Sequence, residues 1–374
     1  MNQRKSEIKS VRIIINYMDG SEKSKDFPMT SLRAGENPHQ EGFVGMNGYK
    51  ILYEGRGMSF TNHLDLIGYA AAFEMSQTMK YLGDKRQEAV VINKHTIPAI
   101  FSVDENQCTA LKKSLKYDPK SPFGGIMCTS SPLTIETAKC LKRMRKEKMF
   151  TLDVLASPGF EPGSIETITQ IGSKKERMYN LRVVDVSELD SFDKIMMGLD
   201  GCNITFGIGS TPIITTMDTS TFFNTKCRME VVSEKTPDDT QYIDAHLAWI
   251  GAKYVKSNSF SFVRGGVSIA QCGGQTNRED SARFAAVRAK DFGNTLENTI
   301  GATDSFLFNA DSIDILHEMG VAGIVHPTRK GLTTGSLKPD EKILDRINKY
   351  EMIMVRPVLG TEEKEVPWRV FRHL

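Results

Sequence analysis

The residues best suited to chemistry sit together in one short stretch, Ala89-Val90-Val91-Ile92-Asn93-Lys94-His95-Thr96-Ile97-Pro98. Four small or β-branched residues read as a buried strand that runs straight into a Lys-His pair. Pro98 is expected to stop regular structure. Lys94 carries fixed positive charge and can donate protons, and His95 can take or give a proton near neutral pH. A pair of this kind at a strand end is either a solvated loop entry or the start of a catalytic site. Other residues bear on that choice. Arg33 lies in a polar loop, Leu32 to Gln40, and suits a bidentate contact to phosphate or a surface ion pair. Asp153 interrupts an apolar strand, so it needs an Arg or backbone partner, or a ligand hydroxyl or amide. The loop Tyr117 to Ile126 holds two Pro and two Gly, which lets backbone approach a ligand, with Phe123 as an aromatic wall or a core residue. Gly273-Gly274-Gln275 feeds a helix start that suits an anion or polar ring edge, or is an ordinary tight turn.

The elements that must position these residues alternate between strand and helix. Ile8 to Asn16 reads as a strand. Leu64 to Tyr81 reads as a helix, capped by Asn62 or presenting that amide to a ligand, with Asp65 in its first turn. A second helix is expected from Pro98 to about Lys116, and a third opens at Ser131-Pro132. Met149 to Ser157 is a strand. A boundary falls near Leu189, dividing the chain into units 1–189 and 190–374, because Cys202 to Val232 reads as hairpins. Thr236 to Asp239 starts a helix to about Val255, Arg264-Gly265-Gly266 marks a hairpin, and a helix runs from Arg278 through Lys290. The C-terminus is dense in Arg, His and aromatics and is expected to be tucked into a site. Both units show the same alternation, which hints at a structural duplication.

Composition narrows the class. The 374 residues are 40% hydrophobic and 25% charged, as in a globular protein. A net charge of +2 does not point to nucleic acid. No apolar run approaches a membrane span, and the start lacks the core of a signal peptide, so the expected location is the cytoplasm. The six cysteines form no CxxC pair, so reduced thiols are expected and structural zinc is not.

Several segments together resemble the formyltransferase domain of AICAR transformylase/IMP cyclohydrolase. Arg33 to Gln40 (RAGENPHQ) is similar to that family's RYGxNPHQ, Lys94-His95-Thr96 with Pro98 to its KHxxP, and Asp118 to Gly125 (DPKSPFGG) to its DPxSxFGG. Lys256 to Ser259 (KSNS), Gly273 to Ser281 (GGQTNREDS), Thr303 to Phe306 with Asp311, and the ending RVFRH follow in the family's order. The resemblance implies an α/β fold of two tandem cytidine-deaminase-like α/β/α units without zinc, and a homodimer. It implies transfer of a formyl group from 10-formyltetrahydrofolate to the amine of AICAR ribonucleotide in IMP biosynthesis, with no metal required. With only about thirty residues before Arg33, cyclohydrolase activity is expected to be absent and supplied by a separate protein. By position, Lys94 and His95 would be catalytic, with Arg33 and Arg369 at the nucleotide phosphate. Asn62, Asp153, Asn258, Phe306 and His373 would contact the nucleotide, while Phe123, Gly124, Arg278 and Asp311 would line the folate side. The chain departs from the family's pattern at Ala34, Ile97, Ala99-Ile100, Phe308-Asn309 and Thr328-Arg329-Lys330. By the resemblance, most of these positions would lie at the folate or phosphate periphery rather than at the Lys-His pair. They keep open a non-catalytic nucleotide-binding relative, or a same-fold transferase with another formyl donor.

Overall fold

The computed structural model describes residues 8–34, 36–37, 40–170, 180–196, 202–206, 208, 211–216, 218–223, 227–307, 309–327, 340–360, 366–370 and 372. The chain opens with a two-stranded ribbon, β1 (Ser10–Asn16) with β2 (Glu22–Pro28), and a short pair, β3 (Thr30–Ser31) with β4 (Phe43–Val44). Next come β5 (Lys50–Glu54), helices α1 (Phe60–Asp65) and α2 (Gly68–Tyr81), and the hairpin β6 (Glu88–Lys94) and β7 (Ile97–Asp104). Then follow α3 (Gln107–Tyr117), β8 (Gly125–Thr129), α4 (Ile135–Lys146), β9 (Leu152–Ser157), α5 (Ser164–Thr169) and β10 (Arg182–Asp185). Helix α6 (Phe192–Met196) and a second ribbon, β11 (Cys202–Phe206) with β12 (Pro212–Thr216), lead to the other half. That half runs β13 (Cys227–Val231), α7 (Asp239–Tyr254), the hairpin β14 (Phe260–Arg264) and β15 (Val267–Cys272), and α8 (Arg278–Asp291). It ends with β16 (Ile300–Thr303), α9 (Asp311–Glu318), β17 (Gly323–Val325), α10 (Glu341–Lys349), β18 (Ile353–Leu359) and β19 (Val366–Pro367).

One mixed sheet runs through both halves in the order β13-β18-β17-β16-β14-β15-β7-β6-β8-β9-β10-β5, with β19 on β18. Outward from the central seam the two halves read alike. Each has a hairpin (β7-β6 or β15-β14), then an antiparallel strand (β8 or β16), then two parallel strands (β9-β10 or β17-β18). The shared strand-helix rhythm of the sequence therefore reflects a repeated topology. The seam is antiparallel, through Val267 and Ser102, so the halves run in opposite directions. The β-branched run Val90-Val91-Ile92 is fully buried, as a strand covered on both faces requires. Helices α2 and α7 cover one face of the sheet and share a core that crosses the seam, including Met75, Phe101, Trp249 and Trp368. Between these two helices, buried Lys253 donates to both carboxylate oxygens of Glu74 at 3.1 Å, and the Tyr254 hydroxyl adds a third bond at 2.8 Å.

Several expected elements shift. Pro98 does not end the structure; it lies inside β7, opposite Asn93 at a register slip, a position where a missing N–H costs little. The helix expected after it begins only at Gln107, capped by Asn106. Asn62 is not a cap. Ser59 caps α1, and Asn62 is the third residue in, its side chain reaching back to the Ser59 amide in a capping box. The expected single helix breaks at Leu66-Ile67, and α2 packs close to β6 at its first residue. A methyl group on Gly68 would lie 3.0 Å from the Asn93 side chain. The helix expected to open at Ser131-Pro132 is capped by Thr134. No helix among the described residues is long and apolar enough to cross a membrane.

Candidate active site

The polar residues collect along one edge of the sheet, where β6 and β16 end and β8, β9, β10 and β14 begin. The site is thus not built only from carboxyl ends of strands. Lys94 closes β6, half-buried, and its ammonium donates to the carbonyl of Phe123 at 2.9 Å. His95 and Thr96 form the two-residue turn to β7 and carry φ of +56° and +65°. Positive φ costs a non-glycine residue about 1–2 kcal/mol, and more for a β-branched one. The offset comes from Asp65, the last residue of α1. Its carboxylate accepts the His95 amide at 3.2 Å and the Thr96 amide through its other oxygen. Hydrogen bonds to a charged group contribute about 1.5–3 kcal/mol each, enough to hold the turn. Burial raises the Asp65 pKa, and the two amides and the charges of His95 and Arg372 oppose that rise.

Beside the turn lies a cationic group. Asp153 is the second residue of β9 and Arg182 opens β10, with guanidinium and carboxylate 3.9 Å apart. Arg182 is 2% exposed and donates to the carbonyls of Arg56, Gly57 and Asn180. Arg33 donates to the same Gly57 carbonyl at 3.0 Å, so both arginines grip one loop. Burial raises the Asp153 pKa, opposed by the charges of Arg182, Arg33, Arg56 and Lys94. Glu54 also acts on Arg182, so four cations stand against two carboxylates and leave excess positive charge, which suits an anionic ligand. Arg33 and Arg56 are exposed. Phe123 is also largely exposed, so it forms a wall rather than a core residue. Gly124 adjoins Asp153.

Across the seam, Asn258 precedes β14. Its side-chain amide donates to the Gln275 carbonyl at 2.9 Å, and its own carbonyl accepts from Ser281. The Gly274 amide donates to the Lys256 carbonyl at 2.9 Å. The Gly-Gly-Gln turn therefore braces the Asn258 segment. Asp304, fully buried, accepts from Ser257, Ser259 and Arg278, the last at 2.9 Å. Arg278 also donates to Thr303. The C-terminal strap crosses here, as its composition suggested: Val370 donates to the Asp304 carbonyl, and Ser257 donates to the Arg372 carbonyl. The Arg369 guanidinium stacks 4.7 Å from the Phe306 ring centre. Arg372 donates to the Tyr254 carbonyl at 2.7 Å, and its charge acts on Asp65.

Of the residues singled out by sequence, Lys94, His95, Phe123, Gly124, Asp153 and Arg33 gather on the first half of the edge. Asn258, Arg278, Phe306 and Arg369 gather on the second, and Asn62 lies buried in α1 close to Arg33 in the fold. Asp311 opens α9, accepts from the Asn309 side chain, and borders a groove of about 400 Å³ between α9 and α10. No hydrogen bond or ion pair among the described residues joins it to the Lys94 group. His373, Phe308 and Thr328 to Lys330 lie outside the described residues. Sequence reasoning missed Asp65, Arg56 and Arg182. The Gly68 break was the available signal for Asp65. For Arg182, the signal was a second lone charge in an apolar strand, the same anomaly that marked Asp153.

Fold and edge together define an α/β protein with an internally repeated sheet and one strongly polar margin. A family model described as AICARFT/IMPCHase bienzyme matches residues 11–288. Relatives named bifunctional purine biosynthesis protein PurH agree in sequence. The Dictyostelium discoideum protein is 31% identical over 359 residues, covering 90% of this chain and 59% of that protein. The Persephonella marina protein is 29% identical over 334 residues, covering 87% and 57%. The Neisseria meningitidis protein is 28% identical over 333 residues, covering 87% and 56%. The chain belongs to the AICARFT/IMPCHase bienzyme family, and it spans less than two thirds of the length of these relatives.

Proposed function

We propose that this chain transfers a formyl group from 10-formyltetrahydrofolate to the 5-amino group of AICAR ribonucleotide, a step of purine biosynthesis. The observation that carries the reading is the convergence of the Lys94-His95 turn and the Asn258 segment on one sheet edge. The acceptor amine is a poor nucleophile, because its lone pair is delocalised into ring and carboxamide. Attack on the formyl carbon forms a C–N bond and a tetrahedral oxyanion; collapse breaks the bond to the folate nitrogen, which takes a proton. His95 removes the amine proton, and Lys94 stabilises the oxyanion or protonates the leaving nitrogen. The two roles are exchangeable between Lys94 and His95. Arg33 and Arg369 hold the phosphate. Asn62, Asp153, Asn258, Phe306 and His373 contact the nucleotide, and Phe123, Gly124, Arg278 and Asp311 face the folate. A homodimer completes the proposal.

Incubation with AICAR ribonucleotide and 10-formyltetrahydrofolate, followed by mass spectrometry, tests it. Appearance of the formylated nucleotide supports the reading. Nucleotide binding without product, at any folate concentration, would instead identify a non-catalytic nucleotide-binding relative.

A further inference from the structure

The sheet carries two copies of one turn, and their difference assigns a role to Asp65. At the β6–β7 turn the amides of His95 and Thr96 donate to the two oxygens of the Asp65 carboxylate. At the β14–β15 turn the amides of Gly265 and Gly266 donate, each at 2.7 Å, to the two oxygens of Asp244. All four turn residues hold positive φ, +56°, +65°, +62° and +81° in chain order. The halves run in opposite directions across the seam, so the two turns lie at opposite edges of the sheet. The far copy meets the backbone demand with two glycines, for which this conformation is free of strain. The copy at the polar edge keeps an imidazole and a β-branched residue in the same conformation. Chain reversal alone is served by Gly-Gly; what the polar-edge copy adds is its side chains. The surroundings differ too. Burial raises the pKa of both carboxyls, but the charges acting on Asp65 are His95 and Arg372, whereas those on Asp244 are Arg86 and Asp238. Arg372 belongs to the strap that also accepts the Ser257 amide, next to Asn258.

We propose that Asp65 is the positioning residue of this site: its carboxylate clamps the strained turn and presents the His95 imidazole at the sheet edge. The inference rests on the formyl-transfer reading. Asp244, which makes the same pair of bonds away from the site, is its internal control.

The test compares Asp65→Asn with Asp244→Asn in the full chain. Both remove charge from an identical carboxylate-to-turn contact, and both are expected to lower the thermal midpoint. Asp65→Asn is expected to lower kcat roughly tenfold or more, with nucleotide KM within about threefold, since small misplacements of a reacting group cost rate more than binding. Asp244→Asn is expected to keep kcat within about twofold. Hydrogen exchange at the His95 and Thr96 amides should speed up only in Asp65→Asn. Equal effects of the two variants on kcat would overturn the proposal. Should the wild-type protein make no formylated product, the formyl-transfer reading fails by itself. The exchange measurement still decides the clamp, which unchanged protection of both amides would refute. If Asp65→Asn does not fold, Thr96→Gly relaxes the turn without touching the carboxylate. It should raise the thermal midpoint while lowering kcat, and an unchanged kcat would count against the role of the strain.

Discussion

The ammonium of Lys94 donates to the carbonyl oxygen of Phe123 at 2.9 Å, so a candidate catalytic cation is held by backbone rather than by a neutralising carboxylate. A neutral partner leaves the charge available to an oxyanion. Lys94→Ala should lower kcat about a hundredfold or more, the scale of a lost acid–base or electrostatic group, while the thermal midpoint changes little because the side chain is only half-buried. His95→Ala should do the same. Stopped-flow or steady-state assays of formyl transfer measure both. Near-native turnover in either variant would remove that residue from the mechanism.

The Gly57 carbonyl accepts from both Arg33 and Arg182, and this sets the roles of the two arginines apart. Arg182 is buried structure, whereas Arg33 and Arg56 are exposed cations beside it. Arg33→Ala should raise the KM for the nucleotide about tenfold, the loss of a charge-assisted contact, with kcat nearly unchanged. The corresponding nucleoside, which has no phosphate, should bind wild type and variant alike. Calorimetry with both ligands makes the comparison. A nucleoside that weakens as much as the nucleotide would place Arg33 away from the phosphate.

What the sequence could and could not disclose follows from the range of the forces involved. Buried strands such as Ala89 to Ile92, and the helix start within Thr236 to Asp239, are local patterns and were legible, whereas the caps expected at Asn62 and Ser131 belong to Ser59 and Thr134. The Lys94-His95 pair was legible because a strand led straight into it. Asp65 was misread, because its function depends on a turn thirty residues away in the chain, and helix position alone placed it in a first turn. The Gly-Gly-Gln turn was read either as a place for an anion or polar ring edge or as an ordinary tight turn, and the structure shows its backbone bound to the Asn258 segment, a contact that no local signal encodes. The repeat was visible only as rhythm. Its antiparallel seam, which puts one turn at the polar edge and its copy at the far edge, is a tertiary fact.

The Lys253–Glu74 pair joins α2 to α7, with side chains 7% and 0% exposed. Removing one member strands a buried charge, which costs about 3–5 kcal/mol. Lys253→Met should therefore lower the urea unfolding free energy by roughly that amount, and Lys253→Met with Glu74→Gln should recover part of it. The exposed pair Arg12–Asp26 sets the contrast. There, Arg12→Ala should leave the unfolding free energy nearly unchanged, as solvent-screened surface pairs contribute little. Equal losses at the two sites would mean the inter-helix pair is solvated in the native protein.

Acid should act through two histidines outside the proposed chemistry. His246 packs edge-on to Phe222 with ring centres 4.5 Å apart, and His326 accepts the Leu307 amide. Burial pushes both imidazoles down to about 4. Below the ordinary imidazole value near 6.5 the unfolded chain takes up protons that the folded chain refuses. The stability is therefore whole above that value and is lost as pH falls from it toward 4. Between about pH 7.5 and 5.5 each histidine should remove about 1.4 kcal/mol. The buried carboxyls of Asp65 and Asp244, raised by burial, act in the opposite sense, so the wild-type slope alone mixes the two. His246→Phe separates them. Urea unfolding at the two pH values should show a loss smaller by about 1.4 kcal/mol in the variant than in the wild type. Identical losses in both would mean that His246 titrates in the folded protein as it does in the unfolded chain.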